Sequence, residues 1–182
     1  MAAIVGALDA ALRLFRFDGS GIDRFDQSVE GFWRSFAVIP LGVPLVLLAS
    51  LAVPEPDDPM TGPAAGLLAE AAAYLVGWLF MPVVAVFLTR AYGLAARYVP
   101  YVIALNWTSL VGLALAALIA AVVPGGGGPL DVIAVPLLLY LLAVEWFAAR
   151  TALRTTGWVA ATFVAIDVVG SLAIFQLLGV QG

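Results

Sequence analysis

Three strongly polar side chains interrupt otherwise apolar runs: Asn106 in YVIALNWTSL, Glu145 in LLAVEWFAA and Asp167 in FVAIDVVGS. Two carboxyl groups and an amide in such surroundings can hold and hand on a proton or a cation. They can equally tie helices together. A centrally placed Asp costs about 2.5–3.5 kcal/mol to insert into a bilayer. That cost is offset if the carboxyl carries a proton, if a partner hydrogen-bonds it, or if a cavity brings water to it. The plain packing alternative is an interhelical hydrogen-bond cluster, in which each bond contributes typically ~0.6 and at most ~1.7 kcal/mol.

Helical spacing puts Ala160, Phe163, Gly170, Ser171 and Ile174 on the face of Asp167. Small residues there let a neighbouring helix approach closely, so this face is expected inside a bundle. Leu138, Leu141, Ala148 and Ala149 surround Glu145 in the same way. The candidate polar cluster is therefore Asn106, Glu145, Asp167 and Ser171. Arg90, Arg97, Arg150 and Arg154 stand close in sequence to the ends of these runs. One of them is expected to pair with Glu145, and the others to meet lipid headgroups.

Other chemistries lack their residues. The sequence has no Cys and no His, which removes disulfides, the usual zinc sites, haem and iron–sulfur ligation, and Ser-His-Asp catalysis. DGSGIDRFD (Asp18–Asp26) has Ile22 at the fifth position and no Glu at the twelfth, so it is not a calcium loop. A turn with helix-capping acids is expected instead. GGGGPLD is not a phosphate loop, because Lys is absent and no strand precedes it. No cofactor, metal, nucleic acid or catalytic residue is expected.

The elements that must position the cluster are membrane helices. At 64% hydrophobic residues and a mean hydropathy of +1.09, a chain of 182 residues has too little volume to bury its apolar surface in water. Apolar runs at about 36–53, 67–89, 99–123, 130–149 and 158–180 each approach the ~20 residues that cross a bilayer. Helix is the form that satisfies its own backbone there. The fold expected is all-α: five transmembrane helices (36–182) after a segment (1–35) holding an amphipathic helix. In that helix Ile4, Leu8, Leu12 and Phe15 would form the apolar face and Asp9, Arg13 and Arg16 the polar one. It would lie at the headgroups or pack on the ends of the bundle. The first residues do not read as a cleaved signal peptide.

Charge fixes an orientation. All eight basic residues are Arg. They precede span one (Arg13, Arg16, Arg24, Arg34) or lie in the second–third and fourth–fifth connections. Glu55, Asp57, Asp58, Glu70 and Asp131 fall on the opposite side. The positive-inside rule then places the N-terminus in the cytoplasm and the C-terminus outside. Counting from that face, Glu145 lies ~6 Å deep, Asn106 ~10 Å and Asp167 ~14 Å. Trp33, Tyr92, Tyr98, Tyr101 and Trp158 fall near the same boundary, where they are read as anchors. Pro82 and Pro136 interrupt spans two and four, which is read as shape and not as a hinge.

FLTRAYGLAARYVPYVIALNWTSLVG (Phe87–Gly112) and LLLYLLAVEWFAARTALRTTGWVAATFVAID (Leu137–Asp167) resemble the Yip family, the five-span Ypt/Rab-interacting membrane proteins and their bacterial relatives. The likeness lies in the order of spans, the basic turns and the Trp-x-Ala-Ala entry to the last span. It implies a five-span protein with an inward N-terminus and no assigned site residues. Arg without Lys, among abundant Ala and Gly, suits a GC-rich bacterial genome, hence an inner membrane. The function expected first is a non-enzymatic scaffold or accessory subunit, self-associating or bound to a membrane-protein partner through small-residue faces such as Gly112 and Ala116. The alternative is a small proton-coupled transporter using Glu145 and Asp167.

Overall fold

A computed structural model describes residues 2–52, 63–122 and 129–178, and side chains over 3–48, 71–122 and 132–177. Glu55, Asp57, Asp58, the Gly-rich connection and most of the Pro-rich one lie outside the described residues, as do the side chains of Glu70 and Asp131. The described elements are all helical: α1 (Ala2–Phe15), α2 (Val29–Ser35), α3 (Val38–Ala52), α4 (Pro63–Ala91), α5 (Tyr98–Val122), α6 (Pro129–Leu153) and α7 (Gly157–Leu178). Short 3-10 turns at Gly19–Arg24 and Ala95–Arg97 join them. Five stretches are long and apolar enough to cross a membrane: Val29–Leu48, Ala71–Ala91, Ala95–Val122, Val132–Leu153 and Gly157–Leu177. This is the makeup of a multi-pass membrane protein.

The first span departs from its expected form. It is two helices with a break at Phe36–Ala37. Its helical part begins earlier than the apolar run, because Ser28 caps α2 by accepting the Gly31 N–H at 3.0 Å. Pro40 is tolerated in the first turn of α3, where its missing N–H has no intrahelical role.

Every residue from Pro100 to Thr108 of α5 is buried. An all-round apolar helix belongs at the centre of a bundle. α5, α6, α7 and α4 pack in that order into a ring, while α1, α2 and α3 cover the outer side of α5. Neighbours in the ring are antiparallel. Phe80 meets Gly170 while Tyr92 meets Phe163, and Gly112 meets Leu141. At Gly170 a Cβ would overlap the Phe80 ring, so its absence sets how closely α4 and α7 approach.

Span one runs alongside α5. Asn106 donates Nδ2–H to Ser35 Oγ at 2.9 Å, both fully buried. Replacing Asn106 by Leu removes that donor, and the protein is expected to lose ~1–2 kcal/mol of stability in detergent unfolding. Asn106→Gln, which keeps an amide, should lose less.

α1 is helical, but its packed stripe is not the predicted one, since only Leu8 and Phe15 of the predicted face pack inward. Ala7, Ala10, Ala11, Leu14 and Phe15 turn inward, whereas Ile4 and Leu12 are 37% and 46% exposed. Alanines let α1 lie closer to α5 than Leu12 would. α1 also reaches far down the bundle. Tyr140 donates to the Phe15 carbonyl at 2.5 Å, and Phe15 stands beside Gly112, about 21 Å along α5 from its start. Asp9, Arg13, Asp18 and Arg24 form ion pairs of 3.2–3.3 Å on this flank. On the opposite flank Phe87 and Trp158 are 66% and 87% exposed.

The turn over Asp18–Asp26 is the capped turn expected. Asp18 accepts the Ser20 N–H at 2.9 Å. Bonds from Ser20, helped by Arg13, hold the Asp18 carboxyl below its ordinary value of 3.8. A lowered folded value stabilises the turn fully above 3.8 and is lost as acid carries the pH down through it. Exchange of the Ser20 and Gly21 amides, relative to their intrinsic rates, is therefore expected to be unchanged from neutral pH to about pH 4 and to rise below it.

Two helices end in a left-handed residue other than glycine. Phe17 (φ 57°) follows α1 and Arg154 (φ 49°) follows α6. In each, the next amide reaches back five residues, Asp18 to Arg13 at 2.9 Å and Thr155 to Arg150 at 3.2 Å, which closes the helix end. Phe17 thereby turns its ring against Tyr140 and Phe147, with centroids 6.1 and 5.4 Å apart.

Candidate functional site

The ring of α4–α7 encloses the polar residues. The carboxyl groups of Glu145 on α6 and Asp167 on α7 face each other within hydrogen-bonding reach. They are roughly level because the α6–α7 turn is short, which puts Glu145 about 12 Å and Asp167 about 15 Å from it. The face read from the sequence is the one buried. Ala160 and Phe163 are fully buried, while Ser171 and Ile174 line a cavity with Asp167.

That first cavity, about 210 Å³, lies among α4, α5 and α7 and includes Tyr74, Trp78, Asn106, Ser109, Asp167 and Ser171 in its walls. A second, about 250 Å³, lies between α5 and α6 under Phe15 and includes Thr108, Ser109, Gly112, Leu141 and Glu145. Ser109 belongs to both walls. The carboxyl pair thus stands between two spaces, each with a few polar groups in a mainly apolar wall and with room for water.

Two ionised carboxylates are acceptors only and cannot bond to each other. A proton on either makes the contact a hydrogen bond. Among the described residues no donor reaches the buried Glu145 Oε1, and a proton placed there would let it donate. The Tyr101 hydroxyl is also buried, again without a hydrogen-bond partner among the described residues. Its ring is held by Phe163, T-shaped at 5.2 Å.

All four residues of the expected cluster come together here. Asn106, Asp167 and Ser171 share one cavity, and Glu145 touches Asp167. The expected arginine partner of Glu145 is not found among the described interactions. Arg150 instead lies over the Trp146 ring at 5.4 Å, and Arg154 pairs with Asp23 at 3.7 Å. Arg150 and Arg154 are both exposed, and Asp167 on the next helix is the group that meets Glu145. Tyr101, read as a boundary anchor, is 2% exposed. Tyr98 also turns inward and donates to the Pro82 carbonyl at 3.1 Å.

Sequence reasoning missed Ser109, Tyr101 and Ser35. Ser109 is one helical turn from Asn106, a signal that was available. Nothing local distinguishes Tyr101 from an interfacial tyrosine. Comparison with protein-family models, with curated proteins and with solved structures gives no match to this chain.

Proposed function

We propose that this chain is a small proton-permeation unit of a bacterial inner membrane, with its N-terminus in the cytoplasm and its C-terminus outside. The observation that carries the reading is the contact of Glu145 with Asp167, each lining a different cavity. In this scheme a proton enters from the arginine-bearing end, is taken by Glu145, and is shared across the pair. Asp167 then releases it into the space bounded by Asn106, Ser109 and Ser171. α1, with its flank of charged pairs, would lie at the cytoplasmic headgroups and draw water down toward the Glu145 cavity. The gathering of Arg at one end supports that orientation.

The scaffold reading that accompanies a Yip-like architecture stands second. The exposed apolar side chains of α4 and α7, such as Val83, Phe87, Val169 and Leu172, would suit lipid and a membrane partner alike. The scaffold reading is weakened at Gly112, whose surface is already occupied by Leu141 and Phe15 of the same chain. The test is to reconstitute the pure protein in vesicles holding a pH-sensitive dye and to impose a proton gradient. Proton entry well above that of empty vesicles is expected. Entry at the empty-vesicle rate, with the protein folded and inserted, would leave the scaffold reading.

A further inference from the structure

A third cavity, about 530 Å³, opens among α1, the Gly19–Arg24 turn, α2 and α5. Its floor is apolar, built from Ile4, Ala7, Phe25, Ala37, Ile103 and Trp107. Its rim carries Arg24, Asp26 and Arg34. The volume falls within the range of small-molecule sites.

The rim charges narrow the ligand. Arg24 donates to Asp9 at 3.3 Å, and Arg34 pairs with Glu30 and, at 4.0 Å, with Asp26. A guanidinium has five N–H donors, so both arginines keep donors beyond these pairs. Asp26 accepts the Ser28 N–H at 3.1 Å, a bond that holds its carboxyl below the ordinary value and keeps it charged. Two cations and one carboxylate thus line the space, while Glu30 and Asp9, the latter shared with Arg13, pair with the cations from outside it. A headgroup with negative charge alone would leave Asp26 unpartnered, and a free cation would leave the apolar floor unused. A headgroup carrying both signs suits the rim: phosphate oxygens at the guanidiniums and an ammonium at Asp26.

We propose that this cavity is a specific site for one zwitterionic aminophospholipid, its phosphoethanolamine headgroup on Arg24, Arg34 and Asp26 and one acyl chain on the floor beside Trp107. The site shares no residue with the carboxyl pair and does not depend on it.

Bromine on an acyl chain quenches tryptophan on contact. The full chain would be titrated in detergent micelles with phosphatidylethanolamine, phosphatidylglycerol and diacylglycerol, each with brominated chains. Saturable quenching is expected with phosphatidylethanolamine at the lowest mole fraction, and Trp107→Phe should remove that saturable part. Arg34→Ala should raise the midpoint about tenfold, the size of losing a hydrogen bond to a charged group. Gly6→Leu, which adds bulk to the cavity wall where nothing lies within 4 Å of a Cβ, should raise it too. Equal quenching by all three lipids, a preference for phosphatidylglycerol, or a saturable component that survives Trp107→Phe would each overturn the proposal.

Discussion

Asp167→Asn is expected to lower proton entry into reconstituted vesicles by about 10²-fold, the order lost when a positioned proton-transfer group is removed. Asn has nearly the shape of Asp, and its amide can donate to Glu145, so the α6–α7 contact remains and the protein should still fold. What disappears is the second proton-binding oxygen. Glu145→Gln removes the partner and should reduce entry to a similar extent. The double variant should be no worse than either single one, because the two groups act as a unit. Simple additivity of the two losses would mean that the carboxyls work apart, and unchanged entry in Asp167→Asn would end the relay reading.

The largest expected loss of stability lies outside the ring, at Gly31. There α2 begins so close to the preceding turn that a Cβ would collide with the Asp26 carbonyl group. Main chain cannot rotate out of the way as a side-chain tip can. Gly31→Ala is therefore expected to cost ~1–3 kcal/mol, in the range of overpacked sites. Gly77 in α4 is the control, because nothing lies within 4 Å of a Cβ placed there. Gly77→Ala should be neutral or stabilising by up to ~1 kcal/mol, the helix preference for Ala over Gly. Thermal unfolding of both variants in one detergent tests the pair. If Gly31→Ala unfolds like the wild type, the turn is looser than described.

The spans were legible because lipid imposes a length and forbids exposed polar groups. α5, α6 and α7 begin within a residue or so of the expected positions. The facing of Asp167 was legible for a related reason, since Ala160, Gly170 and Ser171 are small on one side of a helix. Partners were harder. Whether Glu145 meets an arginine or Asp167 depends on the rotation of α6 against α7, and a period of 3.6 fixes that only within one helix. The packed stripe of α1 was missed because large side chains were weighted over alanines. At a close helix contact the alanines decide. The break at Phe36–Ala37 was hidden because it falls where the apolar run begins, and the polar helix before it carries no span signal.

The low charged flank beside Phe15 and the high apolar flank at Phe87 and Trp158 give the molecule a sloping waterline. A flat bilayer cannot match both sides of it. The protein is therefore expected to lean, or to pinch one leaflet beneath α1, at a fraction of a kcal/mol per ångström of mismatch. Short-chain lipids would relieve that stress and long-chain lipids would add to it, so acyl length by itself should set how upright the bundle stands.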